Sequence, residues 1–242
     1  MKTLVWAHRG ARSEAPENTL EAFSLAVEQG ADGIELDVHM TADGELVVVH
    51  DETLERVSNG TGLISSKTLT ELKQLDFSKG FPNYSPARIP TLSEVYDLVM
   101  PTNLTVNVEI KSGVVIYEGI EKRLLELATR FNISDRIIYS SFNHYSLMLL
   151  REIDPDVKIG LLYSEALISP HLYALHVGAN AIHPYYPTLM VPGVLEGCKK
   201  AGVAVHPWTV NETKVMKKLI AAGVEALITD VPKTARQLLM EV

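Results

Sequence analysis

Nine short apolar runs divide this chain, and the gaps between them decide what it can fold into. The runs are 3–8, 33–38, 46–50, 105–110, 136–141, 158–163, 181–184, 203–208 and 226–229. Val, Ile and Leu dominate them, as suits parallel strands covered on both faces. One gap is too short for a crossover: residues 40–45, centred on Thr41-Ala42-Asp43-Gly44. A parallel connection needs about a dozen residues or more. The second and third runs are therefore an antiparallel hairpin with Asp43-Gly44 in its turn. Eight candidate parallel strands remain.

Helical patterns follow them at 17–29, 91–100, 117–131, 143–153, 169–177, 190–201, 212–222 and 231–241. Gly30, Gly178, Gly202 and Gly223 fall just past helix ends, where left-handed dihedrals suit glycine. Asn18 or Ser93 are the expected helix caps. Eight βα units predict a single (β/α)8 TIM barrel over residues 1–242, and a chain of 242 residues has the usual barrel length. The competing architecture, an open doubly wound sheet, has no GxGxxG or GxxxxGKS phosphate loop to support a nucleotide site. Residues from about 39 to 90 interrupt the second unit. They hold the hairpin return, Asn59-Gly60, Gly62, a short helical pattern near 68–76 and three prolines, Pro82, Pro86 and Pro90. This segment reads as a small inserted subdomain. Barrel sites lie at the carboxyl ends of the strands, so an insertion after the second strand borders the site.

Composition narrows the partners. The chain has 22 Lys+Arg against 30 Asp+Glu, a formal charge of −8. That balance disfavours nucleic acid and stable anchoring to an anionic membrane. One cysteine, Cys198, excludes an internal disulfide and a cysteine zinc site, and its helical spacing marks it as core. No apolar run has the length of a secretory leader or a membrane span, so the expected location is cytoplasmic. The sequence leaves the oligomeric state open.

Two strands break the apolar rule in a pattern. Ile34, Leu36 and Val38 share one face, with Glu35, Asp37 and His39 on the other. Val106, Val108 and Ile110 likewise oppose Asn107, Glu109 and Lys111. The apolar faces meet helices, so the carboxylates point into the barrel. Three inward acids repel unless protonated or neutralised. An all-oxygen set suits one hard divalent cation, Mg²⁺ or Ca²⁺. The competing reading is that Arg9 and Lys111 simply pair these acids. If the hairpin turns between Ala42 and Asp43, His50 lies across from Glu35. His8 ends the first strand, followed by Arg9-Gly10. Two imidazoles thus flank the acid cluster, and histidine titrates near neutral pH. His144, His171 and His176 read as structural.

These residues resemble the glycerophosphodiester phosphodiesterases, relatives of the barrel-shaped phosphatidylinositol-specific phospholipases C. The matching segments are His8-Arg9-Gly10, Pro16-Glu17-Asn18-Thr19, GADGIELDV ending at Val38, DGELVVVHDETL around His50, IPTLSEV at 89–95 and VEIK ending at Lys111. Weaker echoes are Ser140-Ser141-Phe142, the HPWTVN run containing Trp208, and Thr229-Asp230. The resemblance spans nearly the whole chain.

It implies metal-dependent hydrolysis of small glycerophosphodiesters to sn-glycerol 3-phosphate and an alcohol. On this resemblance Glu35, Asp37 and Glu109 are the metal ligands and His8 and His50 the acid–base pair. Arg9 and Lys111 stand beside the substrate phosphate, and Glu17 supports Arg9. Trp208 and Phe142 are candidate contacts to the glycerol or alcohol moiety. Tyr185 and Tyr186 belong near the rim, and His183 and His206 near the pocket. His39 departs from the family pattern and, as a hairpin residue beyond the metal position, is expected to be exposed. Two other readings are a lipid-acting lysophospholipase D or cyclising phosphodiesterase of the same superfamily, and a non-catalytic binding protein. The first needs an acyl groove or docking surface; the second, loss of the acid–base residues, which are present.

Overall fold

The computed structural model describes residues 3–240. The chain runs β1 (Leu4–His8), α1 (Leu20–Glu28), β2 (Gly33–Met40), β3 (Leu46–Val48), α2 (Leu69–Lys73) and α3 (Leu92–Val99). It continues through β4 (Thr105–Ile110), α4 (Ile120–Phe131), β5 (Ile137–Ser141), α5 (His144–Ile153), β6 (Ile159–Tyr163) and α6 (Pro170–His176). Last come β7 (Ala181–Pro184), α7 (Val194–Ala201), β8 (Ala204–Val205), α8 (Thr213–Ala222), β9 (Ala226–Thr229) and α9 (Pro232–Met240). Neighbouring strands follow the order β8-β7-β6-β5-β4-β2-β1-β9, all parallel, with β3 antiparallel on β2. Between β8 and β9, Val210 N–H donates to Ile228 O at 2.9 Å and Ile228 N–H donates to Pro207 O at 3.0 Å. These bonds bring the last strand back to the eighth and close the TIM barrel.

Strand alternation divides the core into two layers. Outward residues such as Val5, Ala7, Ile34, Leu36, Val106 and Val108 pack under the helices in the main apolar cluster. Inside, Trp6, Ile138, Ala181, Ala226 and Ile228 form a smaller apolar plug. Above the plug the inward positions become polar: His8, Glu35, Asp37, Asn107, Glu109, His183 and His206 are all buried. Gly160 makes room for this layer, since a Cβ there would lie 2.2 Å from the His183 ring. Residues 47–89 carry a separate small core of Val47, Val49, Leu54, Val57, Ile64, Leu72, Phe77 and Ile89. Cys198 is buried on α7, as its spacing predicts. No helix among the described residues is long and apolar enough to cross a membrane.

Several local expectations are corrected. The hairpin pairs Val38 with Val48 and His39 with Val47, one residue off the expected register. Thr41 N–H bonds to Glu45 O, and Gly44 sits at φ 84°, so the loop has three residues rather than two. His50 therefore lies beyond the β3 ladder and not opposite Glu35. The caps are Thr19 and Thr91, whose hydroxyls accept from Ala22 and Glu94 N–H. Asn18 is one residue too early, and its side chain is engaged elsewhere. The run 203–208 forms regular strand only at Ala204–Val205, although His206 and Trp208 N–H still donate to Ile182 O and Pro184 O of β7 at 3.0 and 3.1 Å. His39 is fully buried, not exposed.

Candidate active site

The turn after β1 places the first three groups. His8 ends the strand, and Arg9 adopts φ 55°, in the left-handed region that costs a non-glycine residue about 1–3 kcal/mol. Two acceptors hold it there: Arg9 N–H donates to Glu35 O at 2.9 Å and to Glu35 Oε2 at 3.0 Å. Gly10 follows at φ 83°, and a Cβ there would meet the Ala22 backbone at 2.6 Å. Only glycine lets the chain pass α1 this closely.

Glu35 and Asp37 on β2 and Glu109 on β4 bring carboxylate oxygens within 4.8 Å of one another, all buried. Asp37 faces Glu109 across the ladder. Arg9 Nε approaches Asp37 Oδ2 at 3.3 Å, and Asn18 Nδ2 donates to the same oxygen at 2.8 Å. Lys111 Nζ donates to Glu109 Oε1 at 2.9 Å and lies 3.8 Å from Asp37 Oδ1. Burial raises all three carboxyls. At Asp37 the charges of Arg9, His50 and Lys111 and the Asn18 bond reverse this and hold it below its ordinary value. At Glu35 and Glu109 burial and the Asp37 charge prevail, and both are pushed up. Burial lowers Lys111, but Glu109 and Asp37 outweigh it and lift the ammonium to about 12.

The pairing of acids by Arg9 and Lys111 thus exists but is incomplete. Asp37 Oδ1, fully buried, has no hydrogen-bond partner. A buried orphan oxygen facing two further carboxylates fits a hard cation.

Each flanking histidine is oriented by an acid. His8 Nδ1 lies 2.6 Å from Asp230 Oδ1. A carboxylate accepts, so Nδ1 carries the hydrogen and Nε2, 4.0 Å from Glu35 Oε2, is the bare nitrogen. Burial pulls the His8 imidazole below its ordinary value, with the Asp230 bond acting against this. Asp230 is fixed by Asn211, whose Nδ2 donates to Oδ2 at 2.7 Å. His50 Nδ1 similarly donates to Asp51 Oδ1 at 2.6 Å. His39 explains its own burial here. Its Nε2 faces the His50 carbonyl oxygen at 3.1 Å and so carries hydrogen, while Nδ1 accepts from the Tyr117 hydroxyl at 2.8 Å. His39 thereby ties the end of the β2–β3 hairpin to the chain carrying His50.

His8, Arg9, Glu35, His50, Asn107, Glu109, Phe142 and Trp208 line one cleft. Phe142 meets Trp208 edge-on at 5.6 Å, and Tyr185 tilts against Trp208 at 5.6 Å. Tyr185 in turn packs on Tyr186. Asp37 and Lys111 sit behind the cleft wall. Glu17 supports Arg9, accepting from its Nη1 at 2.9 Å. His183 and His206 do not border the cleft; they face each other at 2.9 Å inside the barrel, and Trp208 Nε1 donates to His183 O. His144 bonds to Tyr173 and to Leu162 O.

The sequence did not single out Asp230, Asp51, Asn18 or Arg56 for this site. Arg56 joins its two sides: it donates from Nε to Asp51 at 2.5 Å and from Nη2 to Glu17 at 2.7 Å. Signals existed for three of them. Asp51 and Asn18 lie inside matched segments, and Asp230 in the weak Thr229-Asp230 echo. Arg56 had none.

Comparison with known proteins accords with this geometry. The glycerophosphoryl diester phosphodiesterase family model matches residues 8–234. A glycerophosphodiester phosphodiesterase of Caldanaerobacter subterraneus subsp. tengcongensis is 49% identical over 235 residues, 97% of this chain and 96% of that protein. An Oleispira antarctica phosphodiesterase, solved in complex with the product sn-glycerol-3-phosphate, superposes with a TM-score of 0.87 at 29% identity, covering 99% of this chain and 97% of that one. A putative family member from Silicibacter pomeroyi gives 0.90 at 25% identity, covering 99% and 94%. With a family match of this extent, this barrel belongs to the glycerophosphoryl diester phosphodiesterase family of enzymes.

Proposed function

We propose that the protein hydrolyses small glycerophosphodiesters to sn-glycerol 3-phosphate and an alcohol, with His8 and His50 as the acid–base pair. The observation that carries this reading is the shared cleft: two histidines, each with Nδ1 held by an acid, border the same space as Glu35 and Glu109. Glu35, Asp37 and Glu109 would hold one Mg²⁺ or Ca²⁺, which offsets the charge that makes phosphodiesters resist nucleophiles. Arg9 binds the phosphate from the cleft wall, and Lys111 adds a point charge behind it. His8, neutral because burial disfavours its cation, takes the proton of the attacking water or substrate hydroxyl at Nε2. His50, the more open of the two, gives a proton to the leaving alkoxide. Asp230 and Asp51 hold the tautomers that expose each Nε2.

Phe142 and Trp208 cover the glycerol or the alcohol. Residues from about 39 to 90 act as an inserted subdomain beside the mouth, with Arg56 as its tie to Glu17. The setting is cytoplasmic, and neither nucleic acid nor a membrane anchor is part of the reaction.

The test is release of glycerol 3-phosphate from glycerophosphocholine, with lysophosphatidylcholine as competitor. Turnover of the first, lost in EDTA and restored by Mg²⁺ or Ca²⁺, is expected. Cleavage of the lysolipid alone assigns the lipid-acting reading; full activity in a verified metal-free sample removes the cation from the mechanism.

A further inference from the structure

The barrel wall carries an apolar face that the active site does not use. Among the described residues, 18 large apolar side chains are exposed, and eight of them lie between Tyr145 and Leu175. On α5, Tyr145, Leu149 and Ile153 recur at the four-residue spacing of a single helix face. On α6, Leu172 and Leu175 share a face, and Ile168, 97% exposed, lies in the loop just before this helix. The helices adjoin: the His144 ring and the Tyr173 ring lie 5.6 Å apart. Among the described helices, α6 alone has no Asp, Glu, Lys or Arg.

We propose that this face is the interface of a homodimer, in which α5 and α6 pack on the same helices of a second copy about a twofold axis. Three observations select that occupant. The six residues leave on the order of 800 Å² open, which is about what each partner contributes to a standard interface. In a twofold contact the helix nearest the axis meets itself, so any charge there faces its own like. The uncharged α6 meets that condition.

The third observation is the shape and charge of the face. Tyr145 starts α5 at the mouth end, and Ile153 lies eight residues, about 12 Å, further down the wall. Ile168 and Leu172, before and in the first turn of α6, are also at the mouth end, so a bilayer touching the mouth meets that half of the face and leaves Leu149, Ile153 and Leu175 open to water. Residues 143–178 also carry Glu152, Asp154, Asp156 and Glu165 against Arg151 and Lys158. Arg151 is occupied by Gly178 O and Asn180. Membrane-docking faces have the opposite charge balance.

Sedimentation equilibrium of the full chain tests this. The wild type is expected at twice the 26.7 kDa chain mass. Leu172→Glu and, on the other helix, Tyr145→Ser are each expected to weaken the dimer at least about 30-fold, the loss typical of one interface hot spot. Both sites are exposed, so the monomers keep the wild-type circular dichroism and phosphodiesterase turnover. Met100→Glu, an exposed apolar residue at the end of α3, is expected to leave the dimer intact. A wild type that is monomeric throughout, or a dimer indifferent to both substitutions, overturns the proposal. So does a monomer that pellets with phosphatidylcholine vesicles and loses this in Leu172→Glu, which assigns the face to lipid.

Discussion

Replacing Glu35 by glutamine separates stability from ion binding. The amide keeps an oxygen to accept the Arg9 N–H that Glu35 Oε2 takes at 3.0 Å. It removes one of three charges gathered within 4.8 Å. At an effective dielectric of about 20, each like-charge pair at that distance costs about 3.5 kcal/mol. The metal-free protein escapes part of this by taking up protons, because burial and the neighbouring acids raise Glu35 and Glu109. The variant also gives up the attraction of Glu35 to Arg9. The net expectation is a metal-free Glu35→Gln more stable than metal-free wild type by about 1–3 kcal/mol, a midpoint rise of about 2–12 °C for a chain this long. Saturating Mg²⁺ or Ca²⁺ reverses the order. An ion at about 100 times its Kd adds about 2.7 kcal/mol to the wild type, and much less to the variant.

The pH dependence has a definite sign. The folded Glu35 binds its proton more tightly than the unfolded chain does, so wild-type stability falls as pH rises through the raised value. The gap between variant and wild type in EDTA therefore widens as pH rises above the ordinary glutamate range. Thermal unfolding by circular dichroism, in EDTA and with each ion titrated, reads all of this. A Glu35→Gln protein that melts below wild type in EDTA at neutral pH refutes the reasoning, because the triad would then be a structural network. A gap that narrows as pH rises refutes it too.

Three substitutions probe the chemistry. His8→Ala is expected to lower phosphodiesterase turnover at least about 10²–10⁴-fold while the ion-induced rise in melting temperature persists; loss of both rejects a purely chemical role. Asp230→Asn removes the charge, and one of the two acceptor oxygens, that fix the His8 tautomer, and should lower kcat on the order of 10²-fold with KM nearly unchanged; a change confined to KM assigns Asp230 to binding. Arg56→Ala removes a shared partner of Asp51 and Glu17 and should cost about 10-fold in turnover, with Arg56→Lys restoring part of it. In the same variant the Glu17 carboxyl, held at about 2 with the Arg56 bond opposing burial, should titrate higher by NMR.

What the sequence made legible follows the range of its signals. Strand and helix positions depend on local periodicity, and the hairpin depends on a connection too short for any alternative. Those expectations place Glu35, Asp37 and Glu109 on inward faces. The register of His50 depends on where the turn begins, and a single left-handed Gly44 shifts it by one residue. The His8–Asp230 contact joins the first and last strands, 222 positions apart, with no local signature. His39 was misjudged for a related reason. Its burial comes with Tyr117, 78 positions away on the loop between β4 and α4, a contact with no local signal in the sequence.

Net charge, read over the whole chain, points away from an anionic substrate; the cluster shows why that inference fails. When ionised, Glu35, Asp37 and Glu109 exceed Arg9 and Lys111 by one negative charge, and a phosphodiester carries another. A divalent cation held by the three acids would reverse the local sign to one positive charge, which matches a phosphodiester's single negative. Metal and substrate are then linked: whatever factor the ion adds to substrate affinity, the substrate adds to ion affinity. The burial that raises Glu35 and Glu109 strengthens this coupling, since the same low dielectric that makes the empty triad costly makes the filled one attractive. The same three acids that add to this chain's negative charge would thus, with the ion bound, let one end of the barrel accept an anion.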